Sequence, residues 1–201
     1  MDTFLFYLDL GLNHVLDPNG YDHVLFLAAL ALPFALKKIK SAVLLASVFT
    51  LTHCISLVFS VYGIAKVYAP LIEFLIPLSI LLLLRLNIKN ALQNKGPKTG
   101  VIAYGATALF GLIHGFGFSN YFKMLLEGQE AKNSALLGFA AGIEVAQLAV
   151  LSTVMLASAL FILIFKIQRP RWVIVFSSAL VLVTLPLTYN SLEALLDYTV
   201  T

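Results

Sequence analysis

Acidic and imidazole side chains occur at a few positions inside otherwise apolar stretches of this sequence. Imidazoles are the commonest metal ligands in proteins, and carboxylates either bind a metal themselves or orient the imidazoles that do. Three histidines with up to three carboxylates suit a borderline divalent ion such as Ni²⁺ or Zn²⁺. The predicted metal ligands are Asp22, His23, His53, Glu73, His114 and Glu144.

Three further polar residues lie close in sequence to these candidates. His14 precedes the turn signal Asp17-Pro18-Asn19-Gly20, so its ring can lean over the segment that begins at Asp22. Gln147 follows Glu144 by three residues and shares its helical face, and Ser56 follows His53 at the same spacing. We expect Gln147 and Ser56 to support the ligands, whereas the role of His14 stays open.

A purely structural role is the alternative for each of these residues taken singly. A lone histidine in a membrane helix is often a hydrogen-bonded packing residue. The set together favours function, because an intramembrane carboxylate costs about 2.5–3.5 kcal/mol at the helix centre. Glu73 and Glu144 should therefore face the interior of a helix bundle, where they are paired, protonated or ligated.

The elements that must position these residues are membrane helices. The sequence is 60% apolar and 11% charged, with a mean hydropathy of +0.94, whereas about a quarter of the residues of a soluble protein are charged. Because a crossing needs about 20 residues, the 201 residues allow six spans in a single domain. Apolar runs place these spans near 21–36, 41–61, 67–86, 101–122, 134–165 and 172–190.

The distribution of charge predicts the orientation. Ten of the thirteen basic residues fall in or beside the connections near 37–40, 87–100 and 166–171. Positive charge resists translocation, so these connections should be cytoplasmic and both termini should lie outside. The candidate ligands then fall in the outer half of the bilayer. Eight acidic residues are placed on the outer side: Asp2, Asp9, Asp17, Asp22, Glu127, Glu130, Glu193 and Asp197.

Two local patterns complete the predicted all-α membrane fold. Residues 3–16 are apolar but too short to span, so we expect an outer interfacial or re-entrant helix there. Glycine pairs four residues apart, at Gly111 and Gly115 and at Gly138 and Gly142, predict close approaches between helices. The expected partners are membrane lipids and a metal ion, and no nucleic acid.

Five short stretches, in order along the chain, carry a family resemblance. They are His14 to His23 with Leu25-Phe26, Phe49 to His53, Ile72-Glu73 with Ser79, Gly111 to Phe118, and Gly142 to Glu144 with Gln147. With these stretches the sequence resembles the HupE/UreJ family of small polytopic membrane proteins, associated with nickel uptake for hydrogenase and urease. The resemblance implies a six-span, metal-binding membrane protein, and we expect it in the bacterial cytoplasmic membrane.

Three functions are compatible with these observations. The first is a divalent-metal transporter, with Ni²⁺ as the expected ion; its difficulty is that the inner halves of the spans supply hydroxyl groups but no carboxylate or imidazole. The second is an intramembrane zinc-dependent hydrolase, acting on a lipid-type substrate from the outer leaflet with Glu73 or Glu144 as general base. The third is a structural or accessory membrane subunit, which leaves the costly intramembrane acids unexplained.

Overall fold

A computed structural model describes residues 2–128 and 131–200 of the chain, without the side chains of Thr199 and Val200; Glu130 lies outside this part. The regular structure of the described residues is entirely helical, as predicted. A short 3₁₀ turn, Leu36–Lys38, leads into the third helix. The helices are α1 (Thr3–Leu16), α2 (Asp22–Ala31), α3 (Ile39–Val61), α4 (Ala69–Leu92), α5 (Val101–Leu125), α6 (Lys132–Phe165) and α7 (Arg169–Val200).

Five of these helices, α3 to α7, are long and apolar enough to cross a membrane, which identifies an integral membrane protein. They coincide with the last five predicted spans. The first predicted span, near 21–36, is not confirmed as a crossing. It contains α2, whose ten residues rise only about 15 Å, half the thickness of a hydrocarbon core.

Pro33 accounts for the early end of α2. A proline at this position cannot donate a hydrogen bond to the carbonyl of Ala29, four residues earlier. The side-chain amide of Asn87 in α4 donates to that carbonyl instead, at 2.7 Å. The chain then turns through residues 32–35 into the 3₁₀ turn and α3.

The predicted N-terminal helix is present as α1, and it packs along α6. The two helices run in the same direction, with Phe4 beside Gly138 and Leu8 beside Gly142. A Cβ atom on either of these glycines would lie less than 3.0 Å from a backbone oxygen of α1. The predicted close approach at this glycine pair is therefore confirmed.

α2 continues from the region of α1 toward the other end of the bundle. Phe26 of α2 stacks on Phe49 of α3 at 4.5 Å between ring centroids, and Ala29 reaches Asn87 near the end of α4. α1 and α2 together therefore extend along the bundle, with an interruption at residues 17–21.

The two ends of the bundle differ in charge and in the chain segments that they carry. The hydroxyl of Tyr7 in α1 donates to the carbonyl of Leu125 at the end of α5. The ring centroid of Tyr198 in α7 lies 5.5 Å from that of Tyr68, just before α4. The first and the last described helix, α1 and α7, thus have their terminal ends at the same end of the bundle. The opposite end carries the basic connections around residues 37–40, 93–100 and 166–168, and we call it the basic end.

Candidate metal centre

Four histidines from four helices meet inside the bundle. His14, His23 and His53 each offer one nitrogen, and these three atoms lie within 4.8 Å of one another. The ring centroid of His114 lies 5.5 Å from that of His23. The rings of His23, His53 and His114 are buried, and His14 is half-buried. The structure therefore brings together three predicted ligands and His14, whose role the sequence left open.

Close packing of α3 against α5 positions His53 and His114. Gly111 and Gly115 face α3, and a Cβ atom on Gly115 would lie less than 3.0 Å from the carbonyl oxygen of His53. The hydroxyl of Ser56 donates to the same carbonyl at 2.6 Å. The close approach predicted for this glycine pair is confirmed, and Ser56 contacts the backbone of His53.

Hydrogen bonds fix which nitrogen of two rings is available to a ligand. His114 Nδ1 lies 2.9 Å from the carbonyl oxygen of Phe110, which can only accept, so this nitrogen carries the proton. His23 Nδ1 lies 3.3 Å from Asp22 Oδ1, and an ionised carboxylate likewise accepts. In each neutral ring Nε2 then carries no proton, and its lone pair is available to a ligand.

Unpartnered nitrogens are the distinctive feature of this cluster. Nε2 of His14, His23 and His114 and both ring nitrogens of His53 are buried with no hydrogen-bond partner among the described residues. An unsatisfied buried polar group costs about 1–3 kcal/mol, so five at one place indicate a ligand-binding site.

The geometry of the cluster suits a transition metal after a small contraction. Neutral imidazole nitrogens bind such ions at about 2.0–2.1 Å, which places tetrahedral ligand atoms about 3.4 Å apart. The nitrogens of His14, His23 and His53 are up to 4.8 Å apart, so binding one ion requires side-chain movements of about an ångström.

Aromatic rings surround the cluster on the side of the basic end. The ring of His114 lies 5.4 Å from that of Phe26 and 5.1 Å from that of Phe49. On another side His14 packs on Phe118, with 4.0 Å between centroids. This apolar enclosure strengthens electrostatic interactions inside the cluster.

His14 borders an open cavity at the surface of the bundle. A cavity of about 500 Å³ has His14 in its wall, together with the polar groups of Asn13, Asp17 and Tyr121. The negative charge of Asp17 suits the approach of a cation from this side.

Glu144 occupies a separate polar site formed with α3. Its carboxylate accepts from the hydroxyls of Ser47, at 2.6 Å, and Thr50, at 2.5 Å. Thr50 also lies 2.9 Å from the side-chain oxygen of Gln147, whose nitrogen is buried without a partner among the described residues. Glu144 thus faces the interior, as expected. Sequence reasoning did not pair it with Ser47 and Thr50, although the spacing 47, 50, 53 on one face of α3 was the available signal.

Glu73 lies apart from the histidines. Its side chain is exposed on α4, and no hydrogen bond or ion pair joins it to any described residue. The interior position expected for it is therefore not observed. Glu73 follows the start of α4 at Ala69 by only four residues, and near a membrane interface an exposed carboxylate costs less than at the helix centre.

The sequence profile described as HupE / UreJ protein matches residues 1–191 of the chain. The chain belongs to the HupE/UreJ family. No curated protein and no solved structure gives a significant match. As a HupE/UreJ protein whose interior brings histidine side chains together, the molecule is a membrane protein related to metal handling.

Proposed function

We propose that this protein binds a divalent transition metal, with Ni²⁺ as the preferred candidate, and carries it across the bacterial cytoplasmic membrane. The observation that carries the proposal is the set of unpartnered nitrogens on four adjoining imidazoles. Membership of the HupE/UreJ family supports it. In this proposal the basic end lies in the cytoplasm, because basic connections are retained there.

The binding step uses His14, His23, His53 and His114 as candidate ligands. Asp22 holds the ring of His23 with Nε2 directed to the metal, as outer carboxylates commonly do for metal-binding histidines. Because Asp22 is bonded to a ligand, its role in this proposal is orientation and charge balance. The ion arrives through the cavity beside His14.

A second polar site offers the ion a step toward the basic end. Thr50 and Ser47 precede His53 by three and six residues, which are about 4.5 and 9 Å along α3. Their hydroxyls and the Glu144 carboxylate together supply oxygen ligands at that depth. This site reduces the difficulty posed by the lack of an inner carboxylate, while a conformational change must still open the path beyond it.

The zinc hydrolase remains the second candidate function. It is favoured by one observation, that His14, His23 and His53 form a three-histidine group, which leaves a coordination position for water. Its expected general bases fit less well, because Glu73 is exposed on α4 and Glu144 is bonded to Ser47 and Thr50. Transport is therefore the preferred proposal.

The test combines binding and transport with the same purified protein. In detergent, Ni²⁺ should bind with one ion per chain, and His53→Ala with His114→Ala should abolish that binding. In liposomes, Ni²⁺ should enter with the wild-type protein and not with the double variant. Binding without uptake under any ion gradient would reject transport and retain the metal site. Unchanged binding by the double variant would reject the site itself.

A further inference from the structure

Two adjoining cavities lie toward the basic end, and neither is lined by a histidine. The apolar cavity, of about 510 Å³, lies between α2, α3, α4 and α5. The polar cavity, of about 140 Å³, lies between the end of α4, the connection to α5 and the start of α7. Pro33, Asn90 and Pro97 line both cavities, so the two compartments share a wall.

The polar cavity presents hydrogen-bond donors and positive charge. Asn87, Asn90 and Asn94 follow one another at three- and four-residue spacing near the end of α4, and Lys95 and Arg169 complete the lining. All its lining residues lie in the described part of the chain, and none of them is acidic. Amide, ammonium and guanidinium donors in this arrangement suit an anion with several oxygens, such as a phosphate.

Arg169 is held in place for such a role. One guanidinium nitrogen donates to the carbonyl of Phe34 at 2.7 Å. Because guanidinium has five N–H donors in a rigid plane, this bond fixes its orientation and leaves other donors for a ligand. Asn87 is similarly fixed by its bond to the Ala29 carbonyl.

The apolar cavity has the chemistry of a hydrocarbon site. Its wall includes Leu30, Phe34 and Leu83, and at its edge Val101 and Ile102 of α5 are 88% and 87% exposed. Exposed aliphatic side chains on a membrane helix face lipid, so a hydrocarbon chain can reach this cavity laterally.

We infer that the polar cavity binds the phosphate of an anionic glycerophospholipid from the leaflet at the basic end, with an acyl chain in the adjoining apolar cavity. A free phosphate satisfies only the first compartment, and a lipid without net charge matches the positive lining poorly. Basic pockets between membrane helices at the cytoplasmic side hold anionic headgroups in this way. The polar cavity, where the substitutions of the test lie, is lined by no histidine and by neither Phe26 nor Phe110, so the test leaves the metal site unchanged.

The test measures lipid binding to delipidated full-length protein by native mass spectrometry. Phosphatidylglycerol, phosphatidylcholine and inorganic phosphate are compared as ligands. We expect phosphatidylglycerol to bind most tightly, and Lys95→Gln and Arg169→Gln each to weaken it about fivefold, as expected for loss of one basic contact. Lys89→Gln and Arg171→Gln remove the same charges from exposed positions outside the polar cavity and are the matched controls.

Each alternative result overturns the inference. Equal losses in the control variants would indicate unspecific attraction by the basic end. Binding of phosphatidylcholine as tight as that of phosphatidylglycerol would show that charge plays no role. Binding of inorganic phosphate as tight as that of phosphatidylglycerol would show that the acyl chain plays no role. Because Arg169 also holds Phe34, the exposed Lys95 supplies the variant that keeps the fold intact.

Discussion

The side-chain amide of Asn87 donates to the carbonyl of Ala29 at 2.7 Å, and this is the carbonyl that Pro33 leaves without its helical partner. Replacing Asn87 with leucine keeps the volume and removes the donor. We expect Asn87→Leu to lower the free energy of unfolding by about 1–3 kcal/mol, because a buried carbonyl is left unsatisfied. Thermal unfolding in detergent measures this. Asn120→Leu, on an exposed face of α5, is the control, and equal melting temperatures would contradict the prediction.

Gly115 is expected to be intolerant of even a methyl group. A Cβ atom there would meet the carbonyl of His53, so Gly115→Ala should separate α3 from α5 and displace two of the four imidazoles. We expect a lower melting temperature together with the loss of Ni²⁺ binding by calorimetry. Gly105→Ala is the matched control on the same helix, because nothing lies within 4 Å of its Cβ position. Wild-type metal binding by Gly115→Ala would show that this contact does not position the histidines.

The role proposed for Asp22 predicts weaker metal binding when its charge is removed. Asp22→Asn keeps the shape of the side chain but no longer specifies the protonated nitrogen of His23, so the Ni²⁺ affinity should fall about 10–100-fold. Asp9→Asn, at an exposed position of α1, tests whether general negative charge is responsible. Unchanged affinity in Asp22→Asn, or the same decrease in both variants, would refute the orienting role.

Glu144 should matter for transport more than for binding. Glu144→Gln retains contacts with Ser47 and Thr50 but removes the charge from the second polar site. We expect the initial rate of Ni²⁺ uptake in liposomes to fall at least about tenfold, corresponding to about 1.4 kcal/mol in the barrier, with the equilibrium affinity unchanged. The matched control is Glu127→Gln, at an exposed position. An equal loss of affinity would instead make Glu144 a ligand of the histidine site.

Much of the fold could be predicted because lipid imposes a simple rule on the sequence. A long apolar run bounded by polar residues has few alternatives to a spanning helix, and α3 to α7 follow that rule. The region around α2 did not, since hydropathy counts apolar residues without detecting that Pro33 ends the helix and that Asn87 compensates for it. The single-domain organisation and the orientation in the membrane stay predictions.

The candidate site was predicted in its residue types more than in its geometry. His23, His53 and His114 stood out because imidazoles are rare in apolar helices, and they do meet. Depth alone could not separate Glu73 from Glu144, because it does not determine which face of a helix turns inward. His14 could not be placed from sequence, since its position depends on the packing of α1 on α6 through Gly11, Gly138 and Gly142.

The origin of His14 on α1 gives the cluster a mechanical property. α1 is held chiefly by α6, whereas His53 and His114 belong to the tightly packed pair α3 and α5. An ion bound by all the imidazoles would cross-link the α1–α6 pair to the α3–α5 pair. The rings of His14 and His53 already touch across this junction, and a shared ion would add bonds there, so ion binding would stiffen the junction and release would loosen it. Hydrogen exchange in α1 with and without Ni²⁺ would register that change.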